Sequence, residues 1–224
     1  PDFPAQLLRW VEEGAIANAI DAARRELPKF QGEERGRVLL ALSTACWNAG
    51  DNLDALRAAV SAGDAFRSCR SMPGVCDAMV RIAASLRSAG DHASAITTLE
   101  RAEEVARDID DPKRLADVLR NVGVCCSLVG RHQQALSSLT ETCALLEPDG
   151  APYDRHVARL SLNNARNRRA MSLPENSDER GAELQAFRAL DRIYVAGEKW
   201  KELVAILPSE LDLAPSEDLA QVIE

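Results

Sequence analysis

Gly50, Gly90 and Gly130 stand 40 residues apart, and so do Ala55, Ala95 and Ala135. Around these positions the segments 43–55, 83–95 and 123–135 align on one another. A fixed period in this range specifies stacked helical hairpins, because one hairpin cannot bury its apolar face alone and must use its neighbours. A single closed globule is not the frame for such a chain. The functional question changes accordingly, since arrays of this kind present a surface rather than a catalytic pocket.

Hydrophobic residues make up 46% of the 224 and aromatics only 4%. Alanine and leucine carry the apolar content, which suits close helix–helix packing better than a β core. The longest apolar runs fall far below the ~18 residues that span a bilayer. Pro1-Asp2-Phe3-Pro4 shows neither the basic segment nor the apolar run of a signal peptide. The expectation is therefore a cytoplasmic chain with no membrane contact. The net charge is −8, which argues against a nucleic-acid backbone reader, whose contact face is basic. The first residue is not Met, and the last stretch stops at Glu224 without a cap or polar tail. Both lead us to expect a fragment with more protein downstream.

Each repeat reads as two helices. Met79, Ile82, Ala83 and Leu86 recur at helical spacing and define one apolar face. Gly90 then supplies the left-handed conformation that a helix C-terminus needs, and Asp91 can cap the next helix. Ala95, Leu99 and Ala102 form the inner face of that second helix. Pro73-Gly74, Asp111-Pro112 and Pro148-Asp149-Gly150 punctuate successive hairpins. Asp110-Asp111-Pro112 is a stop-and-restart signal, because proline is tolerated at the first helical position.

These residues resemble the tetratricopeptide repeat. Its pattern is matched by Leu119, Val122, Gly123, Cys126, Gly130, His132, Ala135 and Leu139 in the third repeat. The second supplies Met79, Ile82, Ala83, Leu86, Gly90, His92, Ala95, Leu99 and Ala102. The first supplies Leu42, Ser43, Cys46, Gly50, Ala55, Ala59 and Ala62. The common repeat has about 34 residues; a period of 40 implies longer helices, as in repeats of bacterial signalling and transcription regulators. The resemblance implies an all-α fold, a right-handed α-solenoid of tetratricopeptide-type hairpins. The division expected is a degenerate N-terminal hairpin over 1–35, repeats over 36–75, 76–115 and 116–151, divergent C-terminal hairpins over 152–207, and the start of a further helix over 208–224. A long helix is expected from about Asp178 to Val195, after the break at 173–178.

No nucleophile–base–orienter pattern and no phosphate-cradling glycine loop stands out, so the chain is expected not to be an enzyme, with a downstream catalytic domain left open. No cofactor and no metal are expected. His92 and His132 share one repeat position and read as turn residues; a metal pair needs closer ligands with carboxylate or thiolate company. Asp108, Asp110 and Asp111 lack the Gly and distal Glu of a calcium loop and read as a helix end. Cys46 and Cys126 share a repeat position on the apolar side and, with most of the six cysteines, read as buried thiols. A disulfide between Cys69 and Cys76 is the open alternative.

Leu162-Asn163-Asn164-Ala165-Arg166-Asn167-Arg168-Arg169 carries three asparagines on a helix they do not favour. The resemblance implies that first helices line a concave groove. Its groove positions fall on Arg37, Thr44, Trp47 and Asn48, on Asp77, Val80, Ala84 and Arg87, and on Asp117, Arg120 and Val124. In the fourth repeat they fall on Val157, Leu160, Asn164, Asn167 and Arg168. An Asn amide can hold the backbone of an extended peptide, and Arg pairs with carboxylates in a forked geometry. The alternative is a plain solvated face. Leu40 and Thr44 occupy the places of the chaperone-binding subset's Lys–Asn clamp, so that clamp is not expected. Asp77 and Asp117 beside Arg87 and Arg120 suggest a mixed-charge ligand. The expected function is a protein- or peptide-binding scaffold in a bacterial cytoplasmic regulatory protein, without nucleic acid, and with homodimerisation left open. The rival is the sensory or dimerisation region of a larger signalling enzyme, of diguanylate cyclase type, or of a transcription regulator.

Overall fold

The 40-residue period of the sequence is a geometric period in the computed structural model. First helices run over α3 (Gly32–Asn48), α5 (Met72–Ser88) and α7 (Pro112–Leu128), each 17 residues long. Their partners are α4 (Asn52–Ser68), α6 (His92–Asp108) and α8 (His132–Leu146). At 1.5 Å per residue a 17-residue helix is about 25 Å long. A shorter hairpin precedes them, α1 (Phe3–Glu12) and α2 (Ile16–Glu26), and α9 (Pro152–Ser172) follows. The structure describes residues 2–146, 152–174, 177–182 and 184–185. The chain divides into two compact units, residues 1–169 and 170–224.

The glycine turns form as their chemistry requires. Gly50, Gly90 and Gly130 have φ of 79°, 82° and 77°. In the first of them Asp51 N donates to Cys46 O at 2.9 Å and Gly50 N to Trp47 O at 3.0 Å. The same pair of bonds recurs at Gly90–Asp91 and Gly130–Arg131, a Schellman motif that satisfies carbonyls the helix leaves open. Asp51 and Asp91 then accept from the backbone N–H groups of Asp54 and Ser94, both at 3.1 Å. Asp111 does the same for Arg114 at 3.0 Å, with Pro112 at the first helical position.

The turns between hairpins differ. At the turns into α5 and α7 the left-handed residues are Arg70 (φ 58°) and Asp110 (φ 51°); arginine takes that conformation at a cost, aspartate more readily. Gly74 is not turn punctuation. It is the third residue of α5, and a Cβ there would lie 2.2 Å from the Phe66 ring. Gly36 on α3 faces the same ring, with a Cβ position 2.6 Å away. Phe66 of α4, 2% exposed, thus occupies space that two missing side chains leave on successive first helices. Within the third repeat Leu139 uses the space over Gly123 in the same way.

The buried apolar residues form successive clusters rather than one core. One gathers Leu7, Ala19, Val38, Cys46 and Ala55 from α1–α4. A second, around Phe66, includes Leu39, Val75 and Ala78. A third joins α5 to α8, with Ala95, Leu99, Leu119 and Leu139, and receives Ala165 of α9. Ala95, Leu99 and Ala102 are fully buried, on the inner face where the sequence puts them. Stability in such an array is a sum of neighbour contacts.

Ser177 caps a helical stretch that starts at 178, its Oγ accepting from Arg180 N at 3.2 Å. The rest of the helix expected to run to Val195, the turn at Pro148-Asp149-Gly150 and all expectations after residue 185 lie outside the described residues. Among the described residues no helix is long and apolar enough to cross a membrane.

Candidate ligand-binding face

The first helices are packed on both flanks. α5 meets α4 before it and α6 after it, and first helices also touch one another, α3 with α5 and α5 with α7. Side chains that these helices point away from their partner helices are therefore partly enclosed. The groove positions carried over from the resemblance fall on this face, in different states of engagement.

On α3, Arg37 pairs with the Asp2 carboxylate at the start of α1. Thr44 Oγ1 donates to Leu40 O at 3.0 Å, and Asn48 Nδ2 donates to Thr44 O at 2.8 Å. Trp47 lies against the first cluster while its Nε1 donates to Ser88 Oγ on α5 at 3.0 Å. It therefore ties two repeats together. On α5 and α7 both aspartates have arginine partners. Asp77 receives Arg114 Nε at 2.9 Å and Nη2 at 3.2 Å, a forked pair across hairpins. Asp117 receives Arg120 Nη2 at 3.0 Å within α7. The Asp77 bonds are the main reason the Arg114 guanidinium is held above its ordinary pKa. Asp111, bonded first by the Arg114 backbone N–H, is held below the ordinary carboxylate value.

Arg87 is part-buried and, among the described residues, its side chain makes no hydrogen bond or ion pair. Arg81, which the sequence did not single out, is in the same state. Burial pulls its guanidinium below the usual value, while Asp117 acts in the opposite sense and Arg120 adds to the lowering. The signal that could have found Arg81 is its place one residue after Val80, still on the groove side of α5.

On α9 the three asparagines are not alike. Asn163 is 2% exposed and its Oδ1 has no hydrogen-bond partner. In the repeat register it stands where Gly123, Ala83 and Ser43 stand, on the inward side. Asn164 and Asn167 are part-buried, as is Arg168, and Asn164 and Arg168 are already engaged. A cavity of about 210 Å³ opens between α7, the end of α8 and the start of α9. Ala116, Leu146 and Val157 give it apolar walls; Lys113, Asp117, Arg120 and Asp154 give it a charged rim. Lys113 Nζ lies 3.8 Å from Asp154 Oδ2.

The thiols do not form a reactive site. None of the six cysteines forms a disulfide. Cys69 Sγ donates to Phe66 O at 3.3 Å, whereas Cys76 Sγ is buried and donates to Ala102 O at 3.6 Å. The open alternative of a bridge between them is not realised. Burial pushes the Cys76 and Cys126 thiols up to about 11, so their thiolate population at neutral pH is small.

Residues 74–147 match the family model of the tetratricopeptide repeat. That segment, running from the start of α5 to the end of α8, is a tetratricopeptide-repeat array. No curated protein matches the chain. Solved structures do. Nearly identical TPR-like repeats of a putative kinesin light chain from Podosopora anserina are 14% identical, with 84% of this chain and 92% of that one covered at a TM-score of 0.63. A Rap protein complexed with competence and sporulation factor is 20% identical, with 97% and 66% covered at 0.66. A signal transduction ATPase with numerous domains from Pyrococcus horikoshii, which has a tetratricopeptide repeat sensor, is 15% identical, with 85% and 30% covered at 0.64. At these identities the likeness is one of fold: stacked antiparallel helices in a tetratricopeptide-type solenoid.

Proposed function

We propose that this array is the peptide-recognition part of a bacterial cytoplasmic regulatory protein, and that it binds through its first-helix face rather than catalysing a reaction. One observation carries the reading. The groove positions Asp117 and Arg120 of α7 and Val157 of α9 line a 210 Å³ cavity with apolar walls and a charged rim. That volume suits one aliphatic side chain of an extended peptide, with the charged rim of Lys113, Asp117, Arg120 and Asp154 facing its charged groups. The similar Rap protein, complexed with competence and sporulation factor, supports a regulatory ligand. Six cysteines without a disulfide suit a reducing compartment.

The test is peptide selection on the intact chain from a displayed random octapeptide library, followed by affinity measurement on Asn164→Ala/Asn167→Ala. The double variant is expected to bind the selected peptide about tenfold more weakly, roughly 1.4 kcal/mol, with its melting temperature nearly unchanged. Unchanged affinity would remove these two residues from the site.

A second reading takes the array as the sensory or dimerisation region of a larger signalling enzyme or transcription regulator. The similarity to a tetratricopeptide sensor in a multidomain ATPase favours it. Reading the coding sequence on both sides of the chain separates the two: an adjoining catalytic or DNA-binding domain supports the sensory role.

A further inference from the structure

The net charge of the chain is −8, yet its first-helix face has the opposite balance. From α3 to α7 the groove side carries Arg37, Arg81, Arg87 and Arg120 against Asp77 and Asp117. Both aspartates are spent within the protein. Asp77 is held by the fork of Arg114 from the next hairpin, and Asp117 by Arg120. Arg37 is spent on Asp2. What remains is on α5, where Arg81 and Arg87 have no hydrogen bond or ion pair among the described residues. Both are part-buried. A fully solvated arginine without a partner means nothing, but a guanidinium partly withdrawn from water loses hydration that a bound anion offsets, and the Asp117 carboxylate acts on Arg81 without reaching ion-pair distance. Reading sequence alone, the two aspartates suggest a mixed-charge ligand. Their engagement removes them from that sum.

From this geometry we propose that the ligand of the first-helix face is an acidic extended peptide, whose carboxylates pair with Arg81 and Arg87 on α5. The proposal rests on the peptide-binding reading above and names its ligand class. Electrostatic complementarity supplies the specificity and the on-rate, because the net negative charge of the chain disfavours acidic ligands away from such a site. In the groove register Ala84 stands between the two arginines and Val80 beside the first, so the ligand also carries apolar residues. That setting suits a peptide better than a phosphate backbone.

The test uses the full chain and the displayed octapeptide library at two ionic strengths. The selected pool is expected to be enriched in Asp and Glu, and its best member to bind at least tenfold more weakly when those residues are replaced by Asn and Gln. Arg81→Gln/Arg87→Gln is expected to lose the enrichment and the tenfold preference. Arg81→Lys/Arg87→Lys, which keeps the charge, is expected to retain most of both. Thermal melts of each variant confirm folding. A selected pool of neutral or basic composition overturns the proposal and leaves the peptide-binding reading standing. Failure to select any pool counts against both. Preference unchanged in the Gln variant overturns the role of α5. A labelled single-stranded oligonucleotide, binding as tightly as the acidic peptide and competing with it, would overturn the peptide in favour of a nucleic acid.

Discussion

Two helices of one hairpin, α5 and α6, carry their charges in opposite ways. On α6, Arg107 is exposed and meets Glu103 one turn back and Glu141 on α8, at 2.8 and 3.1 Å. Those two carboxylates are the main reason its guanidinium is held above the ordinary value. Arg101, Glu100 and Glu104 are exposed beside it. This is a solvated face whose charges cost little and contribute little. On α5, Arg81 and Arg87 are part-buried and, among the described residues, have no carboxylate within ion-pair distance. One helix has charges that folding tolerates, the other has charges that folding does not need. A side chain of the second kind points to a ligand.

Predictions that bear on this contrast run from large to small. α5 is held in register by Phe66, which lies over Gly36 and Gly74. Phe66→Ala removes that ring from a closed site and is expected to destabilise the chain by about 3–5 kcal/mol in chemical denaturation. A loss below about 1 kcal/mol would show that α5 is positioned by other contacts. Arg70 sits at the turn entering α5 in a left-handed conformation. Arg70→Gly is expected to raise stability by about 1 kcal/mol, the conformational penalty less the added chain entropy, measured as a higher denaturation midpoint. Arg81→Met replaces an unpaired part-buried charge by an apolar side chain of similar reach. It is expected to raise stability by about 0.5–1 kcal/mol while weakening acidic-peptide binding. Arg107→Met on α6 is expected to stay within about 0.5 kcal/mol of the parent and to leave binding unchanged. Equal effects from the two arginines would erase the contrast.

Much of the frame is legible in the sequence because it is local. Gly50, Gly90 and Gly130 end helices for a reason internal to the turn, and Asp51, Asp91 and Asp111 cap the next helices for the same kind of reason. The alanines at 55, 95 and 135 repeat because each must fit the same close approach. What was not legible depends on partners far along the chain. Gly74 looks like punctuation beside Pro73, and only the Phe66 ring shows that it is there for space. Arg70 and Asp110 turn the chain without the glycine that would announce it. Asp77 and Arg114 lie 37 residues apart, and their pairing needs the stacking of successive hairpins before it can be seen. Asn163 and Asn164 are neighbours in sequence but 100° apart on the helix, so one is buried and the other is part-exposed. Groove positions could be carried over by register, whereas their state of engagement could not.

The most direct test of binding on the first-helix face is amide hydrogen exchange of the intact chain with and without a saturating selected peptide. Added protection is expected on α3, α5, α7 and the Asn164–Asn167 stretch of α9, strongest on α5 around Arg81 and Arg87, with α4 and the outward side of α6 unchanged. Protection confined to α4, α6 or α8 would contradict binding on that face.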